Sequence, residues 1–166
     1  MMTSVLVALT LAILSAQSGA LTFTKPAEWT DRAAASSMRV AEFVVPKAAG
    51  DSDDGELIVY YFGGNGGSVE ANLQRWASQF QSTKDPVRTT ATVNNLKLTS
   101  LDVSGTYVAE MRPGASEHFN KPGFRMRATV VETPKGPYFI KLTGPAKTID
   151  SAGAAYDRFL KSLAFK

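Results

Sequence analysis

Residues 57–80, LIVYYFGGNGGSVEANLQRWASQF, decide the fold, because an apolar strand leads here through a glycine-rich turn into an amphipathic helix. Within 57–62, both alternating sets of side chains are apolar or aromatic. Alternate residues of a strand point to opposite faces of the sheet, so a strand of this kind is typical of a central position covered on both sides. The stretch therefore predicts a sheet that lies between two layers.

The helix of this stretch is expected to begin near Ser68, whose hydroxyl suits a helix N-cap. Apolar residues then recur at helical spacing and would lie on the sheet, while Asp85-Pro86 ends the segment. The apolar positions are Val69, Leu73, Trp76 and Phe80.

The glycine-rich turn 63–68 is the best candidate for a binding site. It matches neither phosphate-binding motif, since no lysine follows the last glycine and Val69 stands where a third glycine would be needed. A helix N-terminus still offers free N–H groups, and glycines allow a ligand to approach closely. The alternative is that a sharp strand-to-helix reversal simply requires positive φ angles. For a ligand or partner site, the candidate residues are Gly64, Asn65, Gly66, Gly67, Asn72 and Arg75.

The remainder of the chain reads as strands closed by one helix, with no linker or repeat, and predicts a single α+β domain over 21–166. Trp29 is expected to tuck under the sheet, and Asp150 is the expected N-cap of the last helix. Turns are expected at Asp54-Gly55, Asn94-Asn95, Ser104-Gly105 and 134–137, and a long exposed loop at 112–123. The predicted strands are 21–23, 38–45, 57–62, 87–93, 96–103, 105–110, 124–130 and 138–143, and the predicted closing helix is 151–163.

Residues 1–20 have the pattern of a cleaved signal peptide. They contain no Asp, Glu, Lys or Arg, and an apolar core from Val5 to Leu14 precedes the small residues Ser18-Gly19-Ala20, which predicts cleavage before Leu21. The alternative is a buried N-terminal helix, and the lack of a basic residue before the core departs from the usual pattern. The core is too short for a permanent span. We therefore expect an exported protein, periplasmic or secreted, with no membrane anchor after cleavage.

Composition excludes several classes of function. The chain has no cysteine, which removes disulfides, thiolate nucleophiles, sulfur-ligated metals and a lipid-anchored cysteine. Its net charge of +3 comes from scattered basic residues without a run, so nucleic acid is not an expected partner.

Candidate catalytic and metal-binding residues are few. The only histidine, His118, lies in the expected loop beside Glu117, and no G-x-S-x-G motif is present. The acidic residues of 51–56 do not fit the register of an EF-hand, which leaves a solvated hairpin tip or, alternatively, a weak surface calcium site. The sequence accordingly predicts no catalytic residue, no metal site and no cofactor.

Five motifs, taken in order, resemble a group of uncharacterised exported bacterial proteins. They are L-T-F-x-x-P-x-x-W at 21–29, S-S-M-R at 36–39, Y-Y-F-G-G-N-G-G at 60–67, R-W at 75–76 and Y-F-I-K-L-T-G-P at 138–145. The opening F-x-x-P-x-x-W, the central meander and a closing helix ending in Ser-Leu are also similar to the PsbP-like fold. That resemblance implies an antiparallel sheet sandwiched between helices. It also implies a partner-binding protein rather than an enzyme, and it assigns no functional residue.

Two functional hypotheses of different classes follow. The first is an exported, non-enzymatic binding or scaffold domain that holds an envelope protein or a small ligand near the 63–75 junction. The second is a hydrolase or other enzyme that uses carboxylates with Arg125, Arg127 or Lys141 on an exposed sheet face. The second requires a concave pocket with converging ionisable groups.

Overall fold

The structure, a computed structural model, describes residues 19–82 and 84–166. The expected signal peptide thus lies almost entirely outside the described residues. Three short helices flank the strands: α1 (Val69–Ala77), α2 (Ala146–Ser151) and α3 (Gly153–Lys161). The strands are β1 (Leu21–Thr22), β2 (Thr30–Asp31), β3 (Arg39–Val45), β4 (Gly55–Tyr61), β5 (Phe80–Ser82), β6 (Val87–Val93), β7 (Leu96–Tyr107), β8 (Lys121–Glu132), β9 (Tyr138–Pro145) and β10 (Ala164–Phe165).

Eight of these strands form one antiparallel sheet in the order β2-β3-β4-β9-β8-β7-β5, with β6 also paired to β7. β4 and β9 are central, as the apolar pattern of 57–62 predicted. β1 pairs with β10 in a separate two-stranded sheet that joins the two ends of the described chain. The fold is therefore a single α+β domain, and the predicted class is confirmed.

The first face of the sheet is covered by α2 and α3. Phe159 and Tyr156 of α3 are fully buried there against alternate residues of β4 and β9, including Leu57 and Ile140. Trp29 belongs to the same core, 5.7 Å from Phe159 between ring centroids, so it is tucked under the sheet as expected. Ser100, Thr129 and Tyr156 form a hydrogen-bonded chain of hydroxyls across this core, which satisfies their polar atoms.

The second face is covered only in part, by α1. Leu73 and Trp76 of this helix pack on the other set of alternate residues, among them Met126, Val130 and Phe139. Ser68 caps the helix by accepting a hydrogen bond from the Ala71 N–H at 3.1 Å, as predicted. The helix ends at Ala77, so Phe80 is buried from β5 and not from the helix as the spacing had indicated.

One predicted turn is wrong and another is confirmed. β7 is one strand where two strands and a Ser104-Gly105 turn were expected. Gly105 has φ 150°, and a Cβ there would lie 2.2 Å from the Gln81 carbonyl oxygen. This glycine allows β5 to approach β7 closely and does not turn the chain. The Asn94-Asn95 turn is confirmed, because both residues have positive φ, 48° and 63°.

The end of the chain also differs from the prediction. Two helices, α2 and α3, replace the single expected helix, and they meet at Ala152. Asp150 lies inside α2 and is not an N-cap. Its carboxylate instead pairs with Arg125 of β8. Gly55 is already the first residue of β4, so the expected Asp54-Gly55 turn is wrong, and the chain turns earlier, where the Asp51 N–H bonds the Ala48 carbonyl oxygen. β8 begins at Lys121, inside the segment that was expected to be a loop.

No helix in the described part of the chain is long and apolar enough to cross a membrane.

Candidate binding groove

The glycine-rich turn packs closely against other parts of the protein and does not enclose an open cavity for a ligand. Gly63, Gly64, Gly66 and Gly67 all have positive φ, between 64° and 129°. A Cβ on Gly66 would lie 2.6 Å from the Phe139 ring, and a Cβ on Gly136 would lie 2.5 Å from the Cα of Gly64. Turn geometry and close contact with the β8–β9 connection thus account for these glycines.

Asn72 fixes this turn to the helix. Its side chain is buried, and its Nδ2 donates to the carbonyl oxygens of Gly66 and Ser68, both at 2.8 Å. Its Oδ1 accepts from the Arg75 guanidinium at 2.5 Å. The amide is therefore engaged within the protein, whereas the guanidinium of Arg75 is exposed.

A groove of about 1030 Å³ lies beside α1 on the second face of the sheet. α1 covers the β7–β8 side of that face, which leaves residues of β3, β4 and β9 as the groove floor. Ile58, Tyr60, Lys141 and Thr143 form its centre, and Arg75 lines the end near α1. Of the six residues predicted as a binding site, Arg75 is the one that lines this groove. Gly64, Asn65, Gly66, Gly67 and Asn72 are not part of its wall.

Lys141 projects from the middle of central strand β9 into the groove. It pairs in register with Ile58 on one side and with Ala128 on the other, so its nearest neighbours across the sheet are apolar. Its Nζ donates to the Gln79 Oε1 at 2.9 Å. Burial lowers the pKa of Lys141 to about 8, and nearby Arg75 and Arg39 act in the same direction against the opposing charge of Glu56.

Two of the three carboxylates that line the groove, Glu42 and Glu56, are bound by arginines, and the third, Glu110, accepts from the Gly114 N–H at 2.7 Å. Glu42, 4% exposed, accepts from Arg32 Nε at 2.7 Å and from Arg39 Nη1 at 2.9 Å. Glu56 accepts from the other end of the Arg32 guanidinium at 2.5 Å. The Arg39 and Arg32 hydrogen bonds and charges keep the pKa of Glu42 below its usual value although burial opposes this. Arg39 also lies over the Tyr60 ring, 5.6 Å from its centre.

The segment 108–119 forms one rim of the groove. It folds back on itself through the Phe119 N–H to Ala109 carbonyl bond and the Met111 N–H to Glu117 carbonyl bond. His118 Nδ1 lies 2.9 Å from the Val108 carbonyl oxygen, and Met111 is half exposed. The histidine thus helps to hold the rim, and its ring also lines the groove.

Arg125 and Arg127 do not share a face with Lys141, which corrects the arrangement assumed in the enzyme hypothesis. Arg127 pairs in register with Leu142, and Ala128 pairs with Lys141, so the arginines and the lysine point to opposite sides. Arg125 bonds Asp102 and Asp150, and Arg127 bonds Asp157 at 2.8 Å. These arginines form ion pairs with α2, α3 and β7.

The acidic tip is likewise tied to the protein. Asp51 accepts from Thr148 Oγ1 at 2.6 Å, Asp53 from Lys121 at 3.2 Å, and Asp54 from the Lys47 N–H at 3.0 Å. Within 19–82 and 84–166, no three Asp, Glu or His side chains converge in a way that would hold a metal ion.

Sequence reasoning named Lys141 only as one basic residue on a sheet face. The signal that could have located the groove is the strand Tyr138–Pro145 itself, in which a single lysine interrupts an otherwise apolar or small-residue run. The Glu42–Arg32–Glu56 pairing joins segments that lie far apart in sequence, and a single chain carries no local pattern that predicts it.

Two solved structures resemble this chain in fold. One is a protein of unknown function from Pseudomonas aeruginosa, at a TM-score of 0.54 and 15% identity, covering 87% of this chain and 96% of that one. The other is the solution structure of cyanobacterial PsbP (CyanoP) from Synechocystis sp. PCC 6803, at a TM-score of 0.52 and 11% identity, covering 95% of this chain and 98% of that one. Neither a protein-family model nor a curated protein matches the sequence. At these identities the likeness concerns the fold alone, and it agrees with the resemblance that the sequence motifs gave: this chain has the PsbP-like fold.

Proposed function

We propose that this chain is an exported, non-enzymatic binding domain that holds an envelope protein or a small ligand in the groove beside α1. The observation that carries the proposal is a concave groove of about 1030 Å³ with a partly aromatic floor, left uncovered on a sheet whose other face is covered by α2 and α3. Concave sites with an apolar lining and a few convergent polar groups are the usual ligand sites of proteins.

The groove lies a short distance from the glycine-rich junction, where the sequence predicted the binding site. The glycine-rich junction remains its neighbour, because Phe62 and Arg75 lie on either side of that turn in sequence and both line the groove. The turn and Asn72 would then act by holding α1 in place, and the side chains of the groove would contact the ligand.

The experiment is affinity purification of the full chain from its own envelope fraction, followed by analysis of co-purified proteins and extracted small molecules. Arg75→Ala and Lys141→Met are compared with Lys97→Met, a matched control on an exposed lysine that lies outside the groove and pairs with Glu132. We expect one stoichiometric ligand with the wild type and Lys97→Met, and its loss in both groove variants while circular dichroism stays unchanged. A ligand retained by both groove variants would contradict the proposal.

A further inference from the structure

Two cations of the groove have neutral amides as partners. Lys141 donates to the Gln79 side-chain oxygen, and Arg75 donates to the Asn72 side-chain oxygen. Arg32 and Arg39, in contrast, bond the carboxylates Glu42 and Glu56. Among the described residues, no carboxylate lies at hydrogen-bond distance from Lys141 or Arg75, and the same holds for Arg112 on the rim segment 108–119.

These two cations lie close to one another in the groove, near the end of α1. Gln79, which accepts from Lys141, follows Arg75 by four residues just beyond the end of α1, and both line the groove. Five basic side chains and three acidic ones line the groove as a whole, so its net charge is positive. A partly buried ammonium that lacks a counter-ion is unfavourable, and an anion bound beside it would relieve that cost.

The rest of the floor is suited to an apolar body. Ile58 lies next to Lys141 across the strands, and Tyr60 and Phe62 stack with ring centroids 6.0 Å apart. Flat aromatic surfaces favour ligands with rings or hydrocarbon chains.

We propose that the groove binds an organic anion, whose acidic group lies against Lys141 and Arg75 and whose apolar body lies on Ile58, Tyr60 and Phe62. This inference rests on the proposed binding function and adds the chemical class of the ligand. A carboxylate or sulfonate on a hydrophobic small molecule has this chemistry.

The test uses two fluorescent probes that share their rings and differ in charge. 8-Anilinonaphthalene-1-sulfonate carries a sulfonate, and N-phenyl-1-naphthylamine is the neutral molecule without it. Dissociation constants are measured by fluorescence titration for the full chain and for Lys141→Met, Arg75→Ala and the control Lys97→Met. We expect the anionic probe to bind more tightly than the neutral one. Each groove variant should raise the dissociation constant of the anionic probe by about tenfold, the usual scale for a charge-assisted hydrogen bond. The dissociation constant of the neutral probe should stay unchanged.

The outcomes separate the inference from the proposed function. If both probes bind equally well and the groove variants change neither, the anion inference is wrong, and the affinity purification alone then decides the proposed function. If neither probe binds to protein that melts cooperatively, the inference is overturned and the groove itself loses support as a site. Equal weakening of both probes in Lys141→Met would indicate a packing effect and would also overturn the role of charge.

Discussion

Arg125 and Arg127 of β8 are paired differently from Lys141 of β9, which points to the opposite face of the central sheet. On the face covered by α2 and α3, Arg125 bonds Asp102 and Asp150, and Arg127 bonds Asp157 and lies 4.7 Å from the centre of the Tyr156 ring. On the face that α1 leaves partly open, Lys141 sits among apolar neighbours with a neutral amide as its partner.

This difference indicates which charges serve the fold. Ion pairs on the covered face join the helices to the sheet, so their charges are satisfied within the protein. The lysine on the open face contributes no comparable pair and retains a pKa lowered by burial, to about 8. Side chains that lower the stability of a protein without forming a compensating contact are common at functional sites.

The largest expected effect is on the covered face. Phe159→Ala removes a fully buried ring that contacts Trp29, Phe23 and Phe43. We expect a loss of about 3–5 kcal/mol in the free energy of unfolding, because the substitution leaves a cavity in a closely packed core. Urea denaturation followed by circular dichroism measures it. A loss well below this range would show that α3 packs loosely and would weaken the contrast between the faces.

A smaller loss is expected from Arg125→Met. This change leaves the half-buried carboxylate of Asp102 without its two hydrogen bonds from the guanidinium. We expect a loss of roughly 1–2 kcal/mol, with no effect on binding of either fluorescent probe. Denaturation and probe titration on the same preparation check both parts, and loss of probe binding would contradict the separation of the two faces.

The smallest effect, a gain in stability rather than a loss, is expected from Lys141→Met. The folded-state pKa of about 8 lies below the value near 10.4 of an unfolded chain. Below pH 8 the lysine is charged in both the folded and the unfolded state, and its burial lowers the free energy of unfolding. As the pH rises from 8 towards 10, the lysine of the folded state loses its proton first, and this destabilisation fades. Lys141→Met should thus raise the stability by roughly 1 kcal/mol at pH 7, because half-burial removes only part of the hydration.

Thermal melts of wild type and Lys141→Met at pH 7 and pH 9.5 measure this pH dependence. Glu56, Arg39 and Arg75 face the lysine from β4, β3 and α1, and all three are present in both proteins that are compared. A difference in melting temperature that does not shrink at pH 9.5 would mean that packing, and not charge, explains the variant.

Local patterns allowed much of the fold to be predicted from the sequence. The two-sided apolar strand at 57–62, the Ser68 cap and the Asn94-Asn95 turn each depend on neighbouring residues, and each is present. The errors occurred where distant segments decide the outcome. Gly105 looked like a turn residue but is required by the approach of β5, and Asp150 looked like a cap but serves Arg125.

The binding site was also predicted from local sequence, while the groove depends on segments that lie far apart in the chain. A glycine-rich turn before a helix is visible in sequence, so the binding site was predicted there. The structure accounts for its glycines by their positive φ angles and by close contacts with the Phe139 ring and the 134–137 turn. The groove depends on which part of a sheet a nine-residue helix fails to cover. That depends on packing between α1 and strands that lie far away in sequence. Among the wall residues, Arg75 was therefore the only one in the predicted binding site, and Lys141 was named only under the enzyme hypothesis.

The pairing of the chain ends bears on the order of events during maturation. Ala20 and Lys166 exchange two backbone hydrogen bonds, and the side chain of Leu21 is buried beside them. The peptide bond between Ala20 and Leu21, where cleavage is predicted, therefore lies within paired backbone once β1 and β10 have joined. Proteases bind their substrates as extended, unpaired chain, so a leader peptidase that cuts this bond must act before the C-terminal residues arrive. If the predicted cleavage takes place at this bond, removal of the leader would therefore come before the closing of this corner of the fold.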